Sequence, residues 1–222
     1  MRLNAAVRES LTDKAYKQLE EMIVTLQLQP GSMLAESDLC ERVQIGRTPI
    51  REALHRLARE GLVTILPRKG ILVTEINPGK QLLLLELRRE LERLMARTGA
   101  VRRTESERKA FCRIAKGMEL AAGKNDDVKF MRHDSELNTL IAQASHNEYA
   151  VMAIQSIQGL SRRFWYVHYK QAADMPLCAR LHADLAQKIA DGNPGAAAEA
   201  SDRLVDYVED FTRSAFNPPI AA

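Results

Sequence analysis

The chain has 222 residues, a formal net charge of +3, 45% hydrophobic and 27% charged side chains, and three cysteines. That length suits two domains, each burying its own core. No apolar run nears the about 18 residues needed to cross a bilayer, and the N-terminus lacks the apolar core of a signal peptide. Cys40, Cys112 and Cys178 are isolated, odd in number and without C-x-x-C spacing, so a disulfide framework is excluded. They read as small hydrophobes in a reducing cytosol, with a redox-sensor role as the alternative. A cytoplasmic protein with no membrane partner is expected.

Tyr16, Leu19, Ile23 and Leu26 recur at helical spacing, which predicts an amphipathic helix over 15–26. Gln29-Pro30-Gly31-Ser32 is a turn, and a short helix over 36–43 turns Leu39 and Val43 inward. After a second turn, Gln44-Ile45-Gly46, Thr48 is a good N-cap with Pro49 at the first helical position. Ile50, Leu54 and Leu57 then face the core, while Thr48, Arg51, Glu52, His55 and Arg59 fall on another side, free for solvent or DNA. Gly61 closes this helix, two β-rich runs follow at 63–66 and 71–74, and Pro67-Arg68-Lys69-Gly70 is the turn between them. Three helices and a hairpin predict a winged helix-turn-helix.

The charge supports that reading locally rather than globally. Between 47 and 70, Arg47, Arg51, Arg56, Arg59, Arg68 and Lys69 stand against Glu52 and Glu60, a surplus of four positive charges. Such a footprint on a near-neutral chain suits a binder of double-stranded DNA that must discriminate sites.

Asn77-Pro78-Gly79 marks a joint, so the expected layout is a DNA-binding domain at 1–76, a linker at 77–79 and a second domain at 80–222. Helical patterns over 80–102, 105–122, 126–145, 147–171, 175–191 and 194–216 predict an all-α antiparallel bundle, with Asn217-Pro218-Pro219 as a frayed tail. The expected fold class is therefore mostly α, a winged helix-turn-helix followed by a helical bundle.

Leu28-x-Pro30-Gly31-Ser32-x-Leu34-x-Glu36-x-x-Leu39, Arg47-Thr48-Pro49-Ile50-Arg51-Glu52-Ala53-Leu54 and Glu60-Gly61-Leu62-Val63 resemble the GntR family of bacterial transcription regulators. The resemblance implies that Arg47, Thr48 and Arg51 contact an operator and that Gly70 approaches the minor groove. Two residues depart from the family: Gly46 stands where Ser or Thr is usual, and Ser37 where some members carry a base-reading Arg. In the second half, Glu86-Leu87-Arg88-x-x-Leu91-Glu92, Asp134-x-x-Leu137-Asn138 with Ala144-Ser145-His146-Asn147, and His182-x-x-Leu185 resemble the FCD effector domain of FadR-like members.

That domain, by resemblance, gathers an Asp and three His around a divalent metal such as zinc or nickel, beneath a cavity for a carboxylate effector. Asp134 and His182 match two of those positions; Asn138 and Leu204 replace the other two, and no histidine follows 182. Asp134 and Asn138 share a helical face beside Phe130, Leu137 and Ile141, and His182 lies in the stripe of Cys178, Leu185 and Ile189. Leucine cannot ligate and zinc takes about four donors. Asp134, Asn138 and His182 therefore either hydrogen-bond one another in a polar core, form a weak or effector-completed metal site, or form a strong one with His133 or His168 swung in. Arg88, bordering an apolar wall, either clamps an effector carboxylate or pairs with Glu92 one turn on. His168, within Phe164-Trp165-Tyr166-x-His168-Tyr169, either lines a pocket or packs; His133 and His146 read as structural.

The expected function is that of a ligand-responsive repressor, a homodimer on a pseudo-palindromic operator with an organic-acid effector in the bundle. DNA contacts are expected from Arg47, Thr48, Arg51, His55, Arg68, Lys69 and Gly70, and effector contacts from Arg88, Asp134, Asn138, His168 and His182. Two rivals are a metal-dependent enzyme with an accessory DNA-binding head and a sequence-indifferent architectural DNA protein.

Overall fold

The computed structural model describes residues 10–215, apart from the side chains at 171 and 172. The tail at 217–219 and the helical residue 216 expected from sequence fall outside that range. The chain forms two compact units, Met1–Ile76 with Ser156–Val167, and Asn77–Gln155 with His168–Ala222.

In the first unit, α1 (Leu11–Val24) begins where the Ser10 hydroxyl accepts the Asp13 amide at 3.0 Å. It starts four residues before the apolar pattern does, because the cap and first turn are polar. A two-residue strand β1 (Met33–Leu34) precedes α2 (Glu36–Val43), which Gln44 ends with φ +55°. Helix α3 spans Arg47–Arg59 and its N-cap is Gly46, not Thr48. Gly46 is extended and its carbonyl accepts the Ile50 amide at 3.3 Å, so Thr48 is already helical. Pro49 consequently sits third in the helix, where its missing N–H still costs no intrahelical bond. The helix closes as a Schellman turn: the Gly61 amide reaches Ala58 O at 3.1 Å, Leu62 reaches Leu57 O at 3.0 Å, and Gly61 takes φ +78°.

The hairpin pairs β2 (Val63–Leu66) with β3 (Gly70–Val73) in antiparallel register, Val63 opposite Val73 and Leu66 opposite Gly70. The strand order is β1-β3-β2, so β1 adds a third strand that the sequence reading lacked. Two residues are too few to display alternation. Gly70 has φ +113°, and a Cβ there would lie 2.6 Å from the Leu34 carbonyl of β1. Its lack of a side chain is thus what lets β1 close on β3. Ala15, Leu19, Ile50, Ala53, Leu57, Leu62 and Val73 are fully buried at the centre of this unit, and Leu160 packs against them.

The second unit is all-α: α4 (Pro78–Arg102), α5 (Glu105–Lys124), α6 (Asp127–Ala144), the ends of α7 (Glu148–Ala172), α8 (Met175–Asp191) and α9 (Pro194–Ser214). Residues 77–79, expected as a linker, instead start α4: Asn77 Oδ1 accepts the Lys80 amide at 3.0 Å and Pro78 takes the first turn. Each later helix has its own side-chain cap at Thr104, Asp126, Asn147, Asp174 or Asn193. Helix α5 packs most extensively on α8, and α4 on α9. Phe111, Ile114, Met118, Leu137, Ala186 and Ile189 form the middle. Arg89 and Arg93 tie α4 to α9 through Asp206 at 2.7 Å and Asp202 at 2.8 Å.

The Gly70 geometry is directly testable. Gly70→Ala combines a left-handed φ with a backbone collision, and strain of this kind costs about 1–3 kcal/mol. Unfolding followed by the fluorescence of Trp165, the chain's one tryptophan and a residue of the first unit, should show a lowered midpoint. An unchanged midpoint would contradict the β1–β3 packing described.

Candidate nucleic-acid interface and the polar cluster of the bundle

Helix α3 buries Ile50, Ala53, Leu54 and Leu57 and packs on α1. That seating leaves Arg47, Thr48, Arg51, Glu52, His55 and Arg59 exposed, and Arg68 and Lys69 exposed in the β2–β3 turn. Among the described residues, Arg47, Arg59, Arg68 and Lys69 enter no ion pair. Arg47, Arg51, His55 and Arg59 recur every four residues, the spacing that places side chains in one row along a helix.

Arg51 is held differently. Its side chain is 62% exposed, and its Nε donates to Glu36 Oε2 at 2.7 Å. The bond and the adjacent negative charge hold Arg51 more firmly protonated than usual. Only the Nε edge is occupied, so the two terminal nitrogens stay available as a fork, the geometry that matches O6 and N7 of guanine or a phosphate. Glu36 sits in the first turn of α2, fifteen positions earlier in the chain. Sequence reasoning gave it no role, since only its place in the motif was visible.

Arg56 corrects the basic footprint. Its guanidinium lies 3.6 Å over the Tyr16 ring, its Nε donates to Glu60 at 3.1 Å, and Asp13 lies 3.8 Å from Nη1. Tyr16 in turn donates to Glu60 at 2.8 Å. Arg56 therefore fastens α3 to α1 and is not part of the outward face, because its wheel position points toward α1. Glu52 is also partly engaged, accepting from the Thr12 hydroxyl at 2.6 Å.

In the bundle the structure brings Asp134, Asn138 and His182 together. Asp134 Oδ1 lies 3.0 Å from His182 Nε2 and accepts from Asn138 Nδ2 at 3.1 Å. The other ring nitrogen, Nδ1, donates to the Cys178 carbonyl at 2.8 Å, and the edge of Phe130 closes the site at a centroid distance of 5.3 Å. Both nitrogens of His182 are thus committed, and Nε2 meets a carboxylate where a metal would need its lone pair. Asn138 turns its amide nitrogen to Asp134, Leu204 is buried, and among the described residues no three His, Cys, Asp or Glu side chains gather to hold an ion. This donor set does not fit zinc or nickel. The structure contains the hydrogen-bonded cluster, one of the alternatives open from sequence.

The remaining residues resolve similarly. Arg88 takes its pairing option: Nε donates to Glu92 Oε1 at 2.8 Å and Nη2 joins it, with both side chains half-buried. His146 lies 3.4 Å from Glu107 and His133 3.6 Å from Glu136. His168 is half-buried, and burial pushes its pKa down.

His182 makes the bundle's stability depend on pH. Burial alone would lower its pKa, but the contact with Cys178 and the bond to Asp134 outweigh that and hold it well above the ordinary value. A folded-state pKa above the unfolded one gives stabilisation that is complete below about pH 6.5 and is lost as pH rises through the raised value. Thermal melts should show a midpoint that falls with rising pH in the wild type and falls less in His182→Gln. Parallel pH profiles would contradict the charged His182–Asp134 pair.

Comparison with known proteins agrees with this architecture. Residues 11–73 match the family described as bacterial regulatory proteins, gntR family, and residues 83–207 match the FCD domain. The HTH-type transcriptional repressor RspR of Escherichia coli K12 is 22% identical over 205 residues, 92% of this chain and 90% of that protein. The Nta operon transcriptional regulator of Aminobacter aminovorans is 27% identical over 174 residues, 77% of this chain and 79% of that one. A Streptomyces ambofaciens HTH-type regulator is 42% identical, but over 65 residues that span 29% of this chain and 28% of its own length. Among solved structures, Escherichia coli McbR/YncC shares the fold at a TM-score of 0.81 and 17% identity, covering 95% of this chain and 100% of that one. No helix among the described residues is long and apolar enough to cross a membrane. The chain belongs to the GntR family of bacterial transcriptional regulators, with a winged helix-turn-helix of that family followed by an FCD domain.

Proposed function

We propose that this regulator is a sequence-specific repressor that binds a pseudo-palindromic operator as a homodimer in the cytoplasm, and that a small organic acid held in its FCD domain changes its affinity for DNA. The observation that carries the DNA reading is the outward row of α3, where Arg51 keeps a free guanidinium fork while Glu36 fixes its Nε edge. Arg47, Thr48, Arg51 and His55 read or flank base edges, whereas Arg68, Lys69 and the backbone at Gly70 rest on phosphate and sugar. One recognition helix covers too few base pairs for useful specificity, which supports two copies on a two-fold site. The sign follows the Escherichia coli relative, whose name is that of a repressor. The candidate effector contacts are the cluster of Asp134, Asn138 and His182, together with Arg88 and His168. An effector acts only through different affinities for the DNA-competent and incompetent arrangements.

Full-length protein, a duplex selected from a randomised library and a scrambled control, compared by fluorescence anisotropy, test this reading. A specific regulator should prefer the selected duplex by about 10³-fold or more at physiological salt. Arg51→Ala should cost about 1–3 kcal/mol and relax preference at one base position. Glu36→Ala should lose part of the same preference, and Glu36→Gln, which retains an acceptor for Nε, should keep most of it. Equal affinity for both duplexes would identify an architectural DNA protein instead, and an unaltered Arg51→Ala curve would remove that residue from the interface.

A further inference from the structure

The FCD match covers residues 83–207, yet residues 156–167 in the middle of α7 belong to the compact unit of the winged helix. Four residues of that segment, Gly159, Leu160, Arg162 and Arg163, meet the winged helix. A Cβ on Gly159 would lie 2.8 Å from Leu62 Cδ1 and 3.2 Å from Glu20 Oε1, so the α7 backbone lies directly against the turn that closes α3. Leu160 packs on the core of the unit. Arg162 pairs with Glu20 at 3.2 Å and Glu21 at 2.9 Å, both on α1. Arg163 is 2% exposed, the one buried arginine among the described residues.

The partners of Arg163 are specific. Nη1 donates to the Thr74 carbonyl at 2.8 Å, and Nη2 to the Thr74 hydroxyl oxygen at 3.1 Å and the Glu75 carbonyl at 3.4 Å. Thr74 directly follows β3 and is the root of the wing. Its hydroxyl donates to Gly61 O at 2.7 Å, and its amide reaches Leu62 O at 3.1 Å. Arg163, the wing root and the closing turn of α3 thus form one hydrogen-bonded chain. Among the described residues the guanidinium is held only by neutral oxygens and its Nε has no partner, and burial pushes its pKa down to about 10 against the favourable charge of Glu75. Burying a charge on such terms is costly. An apolar side chain would fill the volume more cheaply but could not grip two carbonyls and a hydroxyl.

We propose that Arg163 is a positioning residue for DNA reading, which fixes the angle between the wing and the recognition helix by clamping Thr74 and Glu75 to α7. It touches no DNA. Helix α7 runs on without interruption into residues of the second unit on both sides of this segment. The inference rests on the reading that the first unit binds DNA.

The test is a double-mutant cycle on the full chain, with anisotropy titrations of the selected duplex over a series of salt concentrations. In the wild type, Lys69→Ala should flatten the salt slope by about one unit. Arg163→Gln should weaken binding about tenfold, and Lys69→Ala added to it should change the slope little, since a displaced wing has already given up its phosphate. Should Arg163→Gln fail to fold, Thr74→Val decides in its place, because it preserves shape and removes the hydroxyl that links the clamp to Gly61. Additive losses in the cycle, or wild-type binding by the clamp variant, would overturn the proposal. A wild type that does not discriminate between duplexes would overturn the DNA reading itself, which separates the two failures.

Discussion

The seating of α3 on α1 is the constraint on which the rest of the molecule turns. Ile50, Ala53, Leu54 and Leu57 occupy one side of α3 and are buried, three of the four to 1% exposure or less. Once that stripe is fixed, the destination of every charge on the helix is fixed with it. Arg51 and Arg56 differ by five positions and have opposite fates: one is presented outward with Glu36 behind it, the other is folded onto Tyr16 as part of the internal cement. Total basic charge is therefore a poor guide to the surface available for DNA. Five cations rather than six face outward, and their arrangement, not their number, is what can discriminate a site.

The bundle solves a related problem with opposite means. Where the family resemblance implies four metal donors, this chain has carboxylate, amide, imidazole and leucine. A metal would neutralise Asp134; here His182 does so, with the Cys178 carbonyl fixing its second nitrogen and Asn138 occupying the carboxylate further. The replacement keeps the interior polar contacts satisfied without an ion.

Much of this was legible in the sequence because it rests on local rules. Helical periodicity and the Pro67–Gly70 turn residues marked both fold class and element order. The misses have physical causes. Strand β1 has two residues and exists because β3 offers it an edge, which is a tertiary fact. Thr48 is a better N-cap than Gly46 by propensity alone, yet α3 starts one residue earlier and leaves Thr48 on the outward face. The roles of Glu36 and Arg163 depend on partners 15 and 89 positions away, and no pattern within a helix reveals such contacts. For the polar cluster, sequence left hydrogen bonding and metal binding open, and the structure holds a 3.0 Å contact between Asp134 and His182.

The central claim is that the outward side of α3 and the β2–β3 turn form the surface that meets DNA. Backbone amide hydrogen exchange, compared with and without a bound duplex, measures this most directly. Slowed exchange should concentrate at the start of α3 and at residues 66–70, with the exposed side of α1 unchanged. Protection confined to α1 or to the bundle helices, with α3 and the turn exchanging as in free protein, would contradict the account.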